Sequence, residues 1–174
     1  MQVKIYWIDD AAKPASFGIM PRPRGGDWLE EEICSLRSSG VGVIVPLLER
    51  EEITELDLKE EEALCAANGI EYLSFPIRDR GVPLSSRDTV SLVRTLIGLL
   101  SEGKNLVIHC RQGVGRSALI AALILIMRGV DTGAAFARIA SVRGCSVPDT
   151  PEQREWVVRL AESIRSNKRP SSKV

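Results

Sequence analysis

The chain has 174 residues, and its 23 lysine and arginine side chains are balanced by 23 aspartate and glutamate side chains. This balance argues against the strong positive field of a nucleic-acid-binding protein or of a protein held on a membrane surface, so we expect neither partner. The length suits one domain with a full core, which we expect at residues 1–166, with a disordered tail at residues 167–174.

The first part of the chain combines two short strands with a helix. Val3–Ile8 and Phe17–Met20 have the patterns of strands. Asp27 is a suitable N-cap for a helix that ends near Ser38. Three residues of this helix are expected to face the core: Trp28, Ile33 and Leu36.

A buried strand and an acidic helical region follow. Val41–Leu48 is nearly all apolar and rich in β-branched residues, which is typical of a strand buried on both faces. Glu51–Asn68 predicts one short helix and one longer helix. Its charged runs, Glu49–Glu52 and Lys59–Glu62, are most simply solvated helix faces. Ile70–Ile77 then predicts another strand.

The second half is mainly helical. Ser86 is expected to cap a helix that ends near Glu102, and Asn105–His109 is the last predicted strand. Three further helices are predicted, at residues 116–128, 132–142 and 150–166. The alternation indicates an α/β domain with a central, mainly parallel (mixed) sheet of about five strands and helices on both faces.

In open sheets of this kind, ligands bind beyond the carboxyl ends of the strands, and the loop His109–Ser117 lies at such an end. It places Cys110 and Arg116 six positions apart, directly before a strongly helical segment. A cysteine at a helix N-terminus beside a cation favours the thiolate, which is the nucleophilic form. We therefore predict that Cys110 is a nucleophile.

The same loop is expected to hold the phosphate that the thiolate attacks, because N–H groups at a helix N-terminus bind anions. The predicted phosphate-binding residues are Arg111, Gln112, Gly113, Val114, Gly115 and Arg116. The Arg116 guanidinium can clamp two phosphate oxygens, and the glycines let the backbone wrap the anion. These groups supply the positive potential, so we expect neither a metal nor another cofactor.

The leaving oxygen also needs a proton. His109 is the only histidine, but a residue directly before the nucleophile on a strand points away from the substrate, which favours a structural role. Asp79 is the better candidate because it also follows a predicted strand and lies in a loop shaped by Gly81 and Pro83. The local sequence fits an ordinary turn aspartate equally well.

Three segments resemble those of one family. His109–Ser117 resembles the signature loop of the cysteine-dependent protein tyrosine and dual-specificity phosphatases. Phe75–Pro83 resembles the general-acid loop of the compact dual-specificity branch, which contains the kinase-associated and cell-cycle phosphatases. Val147–Gln153 resembles the loop in which many members carry a water-orienting glutamine. The resemblance covers most of the chain from about Gly40 onward and implies a protein tyrosine phosphatase-like fold.

The resemblance implies a role for each matching residue. Cys110 would be the nucleophile, Arg116 the phosphate clamp, and Asp79 the acid and then the base. Ser117 would stabilise the departing thiolate, although it also fits a residue that satisfies backbone donors at a helix N-terminus. Gln153 would position the hydrolytic water, with a solvated residue in the first turn of the last helix as an equal alternative.

The implied function is a metal-independent phosphatase that acts on phosphotyrosine in proteins or peptides through a phosphocysteine, with phosphoserine and phosphothreonine as further candidate substrates. A phosphoinositide or RNA 5′-phosphatase is a weaker alternative because Arg111 is the only extra cation in the loop. A phosphate-binding pseudophosphatase is a third alternative. The four cysteines lack metal or disulfide spacing, which indicates reduced thiols and a cytoplasmic protein, with a monomer favoured.

Overall fold

The structure is a computed structural model that describes residues 3–8 and 14–168. Within these residues one sheet contains β1 Tyr6–Trp7, β2 Phe17–Pro21, β3 Val41–Pro46, β4 Glu71–Tyr72 and β5 Asn105–Cys110. The order across the sheet is β1-β2-β5-β3-β4. The β1–β2 pair is antiparallel and the other pairs are parallel, which confirms the predicted mixed, mainly parallel sheet.

Helices cover both faces of this sheet. The described residues contain α1 Leu29–Ser38, α2 Arg50–Glu55, α3 Glu61–Ala67, α4 Ser86–Ser101, α5 Arg116–Met127, α6 Thr132–Arg143 and α7 Pro151–Lys168. In this part of the chain, no helix combines the length and the apolar character needed to cross a membrane. Residues 167–168, assigned to the tail by sequence, are helical, and residues 169–174 lie outside the described residues.

The core is divided by the sheet because successive side chains of a strand point to opposite faces. On β3, Val43 and Val45 pack into one cluster and Ile44 packs into the other. Helices α4 to α7 cover the first face, with α5 in the centre in contact with the other three. Helices α1 and α3 cover the second face. Burial of α5 on all sides fixes the position of its N-terminus, where the signature loop ends.

The start of α1 differs from the prediction. Gly26–Trp28 forms a 3₁₀ turn, so Asp27 is not the N-cap and α1 begins at Leu29. The prediction that Trp28 faces the core is wrong, because its side chain is 54 % exposed and Arg24 lies 4.5 Å from its ring centroid. Ile33 and Leu36 are buried as predicted.

The segment that leads to Asp79 is extended well beyond the short strand β4. The N–H groups of three later residues still donate to carbonyls along β3 and the residue after it: Leu73 to Ile44, Phe75 to Pro46, and Ile77 to Leu47. The chain therefore runs beside β3 as far as Ile77 and brings Asp79 to the carboxyl edge of the sheet. Ser85, one residue before the predicted cap, accepts a hydrogen bond from the Asp88 N–H and caps α4.

Candidate active site

Cys110 lies where β5 ends and lines a cavity of about 160 Å³. Its side chain is buried, with 3 % of the residue exposed. The cavity is lined by residues from the signature loop, the loop after Ile77 and the loop before α7: Asp79, Arg80, Cys110, Arg111, Gln112, Arg116 and Asp149. The structure thus brings together Cys110, Arg116 and Asp79, three residues singled out from the sequence.

The signature loop is held from its outer side. Arg143 of α6 donates to the carbonyls of Gln112 and Gly113, both at 3.1 Å, and its guanidinium lies 4.3 Å from the Tyr6 ring centroid. The Arg22 N–H donates to the Arg111 carbonyl at 3.4 Å. Within the described part of the chain, no protein group accepts a hydrogen bond from the N–H groups of residues 111–115. The loop therefore has its carbonyls engaged outside while its N–H groups remain available to an anion.

Gly113 is required by this packing. Its φ is +66°, and a Cβ atom would lie 2.5 Å from the carbonyl carbon and oxygen of Met20. A left-handed residue in direct contact with a neighbouring backbone accepts only glycine without displacement. The close approach to β2 thus fixes the height of the loop above the sheet.

Arg116 begins α5 and is 2 % exposed. Its two terminal nitrogens bind both oxygens of Glu52, at 2.6 Å and 2.9 Å, and Nη1 also donates to the Ile77 carbonyl at 2.9 Å. Nη2 lies 3.0 Å from Asp79 Oδ1. Burial alone would lower the pKa of Arg116, but the hydrogen bond with Glu52 and the charge of Cys110 raise it above its usual value. Arg116 is therefore a fixed cation at the cavity.

Glu52, in the first turn of α2, is the main partner of Arg116. The interpretation of this acidic run as a solvated face is wrong at this residue, because Glu52 is only 7 % exposed. Its Oε2 also accepts the Glu49 N–H at 3.0 Å, which fixes the carboxylate at the N-terminus of α2. Burial opposes ionisation, yet the bonds from Arg116 and from the Glu49 N–H hold the pKa of Glu52 below its usual value.

Arg111 continues this charged network at the rim of the cavity. It lies 3.3 Å from Glu52 Oε1 and 2.9 Å from Glu55 Oε2. Its hydrogen bond lowers the pKa of Glu55, and the same contact raises the pKa of Arg111. Arg111 therefore carries less free positive charge toward a ligand than the sequence indicates.

Asp79 lies in a tight turn in which Arg80 has a φ of +56° and the Gly81 N–H donates to the Arg78 carbonyl at 2.8 Å. Its side chain is 55 % exposed at the mouth of the cavity. Gln153 supports this loop: its Nε2 donates to the Gly81 carbonyl at 2.9 Å, and its Oε1 accepts the Thr150 N–H at 3.2 Å. Gln153 is fully buried, so the solvated alternative for this residue is wrong.

Asp149 is a carboxylate of the cavity that sequence reasoning did not select. It lies against Gly115, where a Cβ atom would be 2.8 Å from Asp149 Cγ. The sequence feature that could have indicated it is its position in the loop Val147–Gln153, next to Pro148 and four residues before Gln153. Its charge lies close to the N-terminus of α5, so it opposes anion binding in the same cavity.

His109 and Ser117 do not line the cavity. His109 Nε2 lies 3.0 Å from Glu61 Oε1, and both side chains are fully buried beside α3. The acidic run Lys59–Glu62 therefore also contains a buried member, and its interpretation as a solvated face is wrong at Glu61. Ser117 is buried in the first turn of α5, and its Oγ makes no hydrogen bond to any described residue. Within residues 3–8 and 14–168, there is no cluster of three or more histidine, cysteine, aspartate or glutamate side chains that could hold a metal ion.

Comparison with known proteins identifies relatives of the chain. Residues 18–130 match the family model described as "Polymorphic toxin system, DSP-PTPase phosphatase". The chain is 34 % identical over 104 residues to the curated protein 197R of Invertebrate iridescent virus 6, and 33 % identical over 126 residues to 067L of Invertebrate iridescent virus 3. Both carry the name "Putative tyrosine phosphatase". The matches cover 58 % and 67 % of this chain, but only 37 % and 44 % of the two relatives.

Solved structures share the fold. Kinase-associated phosphatase superimposes with a TM-score of 0.86 at 20 % identity, over 95 % of this chain and 98 % of the other. Tk-PTP superimposes with a TM-score of 0.72 at 27 % identity, over 91 % and 96 % of the two chains. PTPMT1, solved in complex with PI(5)P, superimposes with a TM-score of 0.70 at 19 % identity, over 87 % and 94 %.

Proposed function

The chain belongs to the dual-specificity and protein tyrosine phosphatase family, and on that premise we propose that it hydrolyses phosphotyrosine in protein substrates through a phosphocysteine on Cys110. One observation carries the proposal. Cys110 lies beneath a loop whose carbonyls are engaged on the outside and whose N–H groups are free, beside the buried cation of Arg116. A nucleophile and an anion cradle therefore share one cavity.

In the first step the Cys110 thiolate attacks phosphorus, and the bond from phosphorus to the tyrosyl oxygen breaks. Asp79, in its protonated form, gives its proton to that oxygen, so the product leaves as a neutral phenol. Arg116 and the loop N–H groups hold the non-bridging oxygens as their charge rearranges. The position of Asp79 supports this role, because its Oδ1 lies 3.0 Å from Arg116 Nη2 at the same cavity and therefore close to the oxygens of a bound phosphate.

In the second step water attacks phosphorus and the sulfur–phosphorus bond breaks. Asp79, now ionised, takes the proton of the water, and the thiolate is regenerated with inorganic phosphate as the product. Ser117 would stabilise that thiolate through its Oγ, which has no other partner among the described residues. Gln153 would orient the water only after it releases Gly81 or Thr150, so its first role is to hold the loop that carries Asp79.

Glu52 is the residue that prepares Arg116 for this chemistry. A free arginine side chain must lose rotamer freedom before it can clamp a phosphate, and here a bidentate carboxylate has already fixed it. An arriving phosphate displaces Asp79 from Nη2, while Glu52 continues to hold the opposite side of the guanidinium. Asp79 is then free to face the leaving oxygen.

Phosphoserine and phosphothreonine are the further substrates of this proposal. The cavity is small and the loops around it are short, so it lacks a deep wall that would admit only the long phosphotyrosyl side chain. We also infer that residues 1–166 form one phosphatase domain, because both core clusters pack on one sheet. A nucleophilic thiol must stay reduced, which favours the cytoplasm.

Turnover on a panel of substrates tests the proposal. We expect release of phosphate from phosphotyrosyl peptides in the presence of a chelator, inhibition by vanadate, and loss of at least about 10³-fold in kcat for Cys110→Ser. Cys145→Ser, at an exposed thiol outside the cavity, is the matched control. Preferred turnover of phosphoinositides or RNA 5′ ends would reassign the substrate, and activity that survives in Cys110→Ser would contradict the covalent route.

A further inference from the structure

A groove between α4 and α7 is larger than the catalytic cavity. Its volume is about 570 Å³, against about 160 Å³ for the cavity above Cys110. An apolar strip of Val90, Leu160 and Ile164 lies along it. The remaining lining residues are polar or basic: Ser86, Arg87, Ser91, Arg94, Ser163 and Asn167. The groove therefore offers both apolar contact and hydrogen-bonding groups to a ligand.

The charged side chains that line the groove are all positive. Arg87 and Arg94 are exposed, and neither forms an ion pair within the described part of the chain. Arg159 adds a third cation in the adjoining cavity and meets Glu155 only at 3.6 Å. Among the described residues, no acidic side chain lines either cavity. Because the chain as a whole has a net charge of zero, this local excess of positive charge is a property of the groove itself.

The groove begins beside the loop that carries Asp79. Ser86 starts α4 seven residues after Asp79, and Gln153, at the start of α7, is bonded to Gly81 in that loop. Trp156, one helical turn further along α7, lines the adjoining cavity of about 190 Å³ together with Ser86. At 1.5 Å per helical residue, Ser86 to Arg94 spans roughly 12 Å, which is the length of about four residues of extended peptide.

We propose that the groove between α4 and α7 binds an acidic segment with leucine-like side chains in the protein substrate, near its phosphorylated residue. The inference rests on the proposed phosphatase function and adds a preference for substrates. Carboxylates would pair with Arg87 and Arg94 while apolar side chains cover Val90 and Leu160. The residues after Lys168 in the sequence contain Arg169 and Lys173 and no acid, so their charge does not suit this groove.

A peptide also fits better than a nucleic acid. Single-stranded nucleic acids bind through aromatic platforms on which bases stack. Of the lining residues that the structure describes, Trp156 alone is aromatic, and it is only partly exposed. The strip of Val90, Leu160 and Ile164 instead matches aliphatic side chains. The apolar strip and the separated arginines together define an acidic, amphipathic peptide as the ligand.

Direct binding tests the groove without using catalysis. The probe is a fluorescent, unphosphorylated peptide of alternating glutamate and leucine, and the readout is fluorescence anisotropy. We expect Arg87→Glu/Arg94→Glu to weaken binding by about tenfold or more, and the affinity of the wild-type protein to fall as salt is raised. The control, Arg37→Glu/Arg138→Glu, makes the same change in net charge at exposed arginines of α1 and α6.

A second measurement links the groove to turnover. Two phosphotyrosyl peptides share one core, and one carries the acidic segment while the other carries asparagine and glutamine in its place. We expect the wild type to have a kcat/KM about tenfold higher for the acidic peptide, and Arg87→Glu/Arg94→Glu to remove that preference.

The outcomes separate the two proposals. Failure to hydrolyse either peptide, with peptide binding intact, would overturn the proposed function but not the groove. Equal turnover of both peptides, equal binding by both double variants, tighter binding of a uridine oligonucleotide, or dimerisation that the groove variants abolish would each overturn the groove assignment.

Discussion

Replacing Glu52 by glutamine removes the charge that holds Arg116 and changes the side chain volume little. In the structure, both terminal nitrogens of Arg116 bind the Glu52 carboxylate, at 2.6 Å and 2.9 Å, in a buried site. Loss of one partner of a buried pair costs roughly 3–5 kcal/mol. Glutamine still accepts one hydrogen bond, and Asp79 and the Ile77 carbonyl remain on the guanidinium. We therefore expect a loss of about 1–3 kcal/mol in transition-state stabilisation, or roughly 5- to 150-fold in kcat/KM.

Steady-state kinetics on an aryl phosphate is the assay, with the inhibition constant of vanadate measured beside it. The loss is expected mainly in kcat, because a misoriented Arg116 still attracts an anion but does not clamp it in line. Glu55→Gln is the matched control, since Glu55 is an exposed glutamate on the same helix that binds Arg111. Equal kcat values for Glu52→Gln and Glu55→Gln would refute the positioning role of Glu52.

Glu52→Gln is also expected to change how the stability of the fold depends on pH. The pKa of Glu52 is lowered by folding, so its contribution to stability is complete above its ordinary value of 4.5 and is lost as the pH falls through the lower folded value. Thermal unfolding should show the largest difference between wild type and Glu52→Gln near neutral pH, and a smaller difference in acid. A difference that grows in acid would contradict the ion pair with Arg116.

Three further predictions address other residues. Asp79→Asn should lower kcat on the order of 10²-fold for poor leaving groups, measured by steady-state kinetics, and less for a nitrophenyl ester that leaves without a proton; equal losses would exclude general acid catalysis. Asp149→Asn should tighten inorganic phosphate binding about two- to fivefold at low salt in calorimetry, because it removes a negative charge from the cavity; weaker binding would show that Asp149 assists the anion. Burial raises the pKa of Cys65 from 9.0 to about 12, so the free energy of unfolding should fall as the pH rises above 9. In chemical unfolding, Cys65→Ala should lose this fall with pH, and the same pH dependence in Cys65→Ala and wild type would contradict the prediction.

The sequence predicts strands and helices that have a regular hydrophobic pattern, and it predicts functional residues that lie within one loop. The patterns of β3 and β5, the apolar run Ala118–Met127 of α5 and the spacing of Cys110 and Arg116 predict a nucleophile at the carboxyl edge of a mixed sheet, and the structure has this arrangement. Asp79 is predictable for the same reason, because it follows a segment that runs beside β3. In each case a local pattern and a rule of sheet topology suffice.

The residues that bind Arg116 and His109 cannot be predicted from the local sequence. Glu52 and Glu61 lie in acidic runs that are elsewhere solvated, and their burial depends on Arg116 and His109, which are distant in sequence. Their neighbours Glu51 and Glu62 are exposed, so composition cannot separate the two kinds of glutamate. Trp28 is exposed for a related reason: a 3₁₀ turn changes its direction, and Arg24 supplies a stacking partner. The two errors at glutamate come from contacts between elements that are distant in sequence, whereas the error at Trp28 comes from a local turn that the helix pattern does not show.

The most direct test of the account is to find the phosphoryl group on the enzyme during turnover. Protein mixed with a phosphotyrosyl peptide and quenched in acid within milliseconds is digested and analysed by mass spectrometry. We expect one phosphoryl group on the peptide that contains Cys110, formed no more slowly than tyrosine is released and absent in Cys110→Ser. Turnover without any such adduct under these conditions, or with a phosphoryl group on another residue, would contradict the phosphocysteine mechanism.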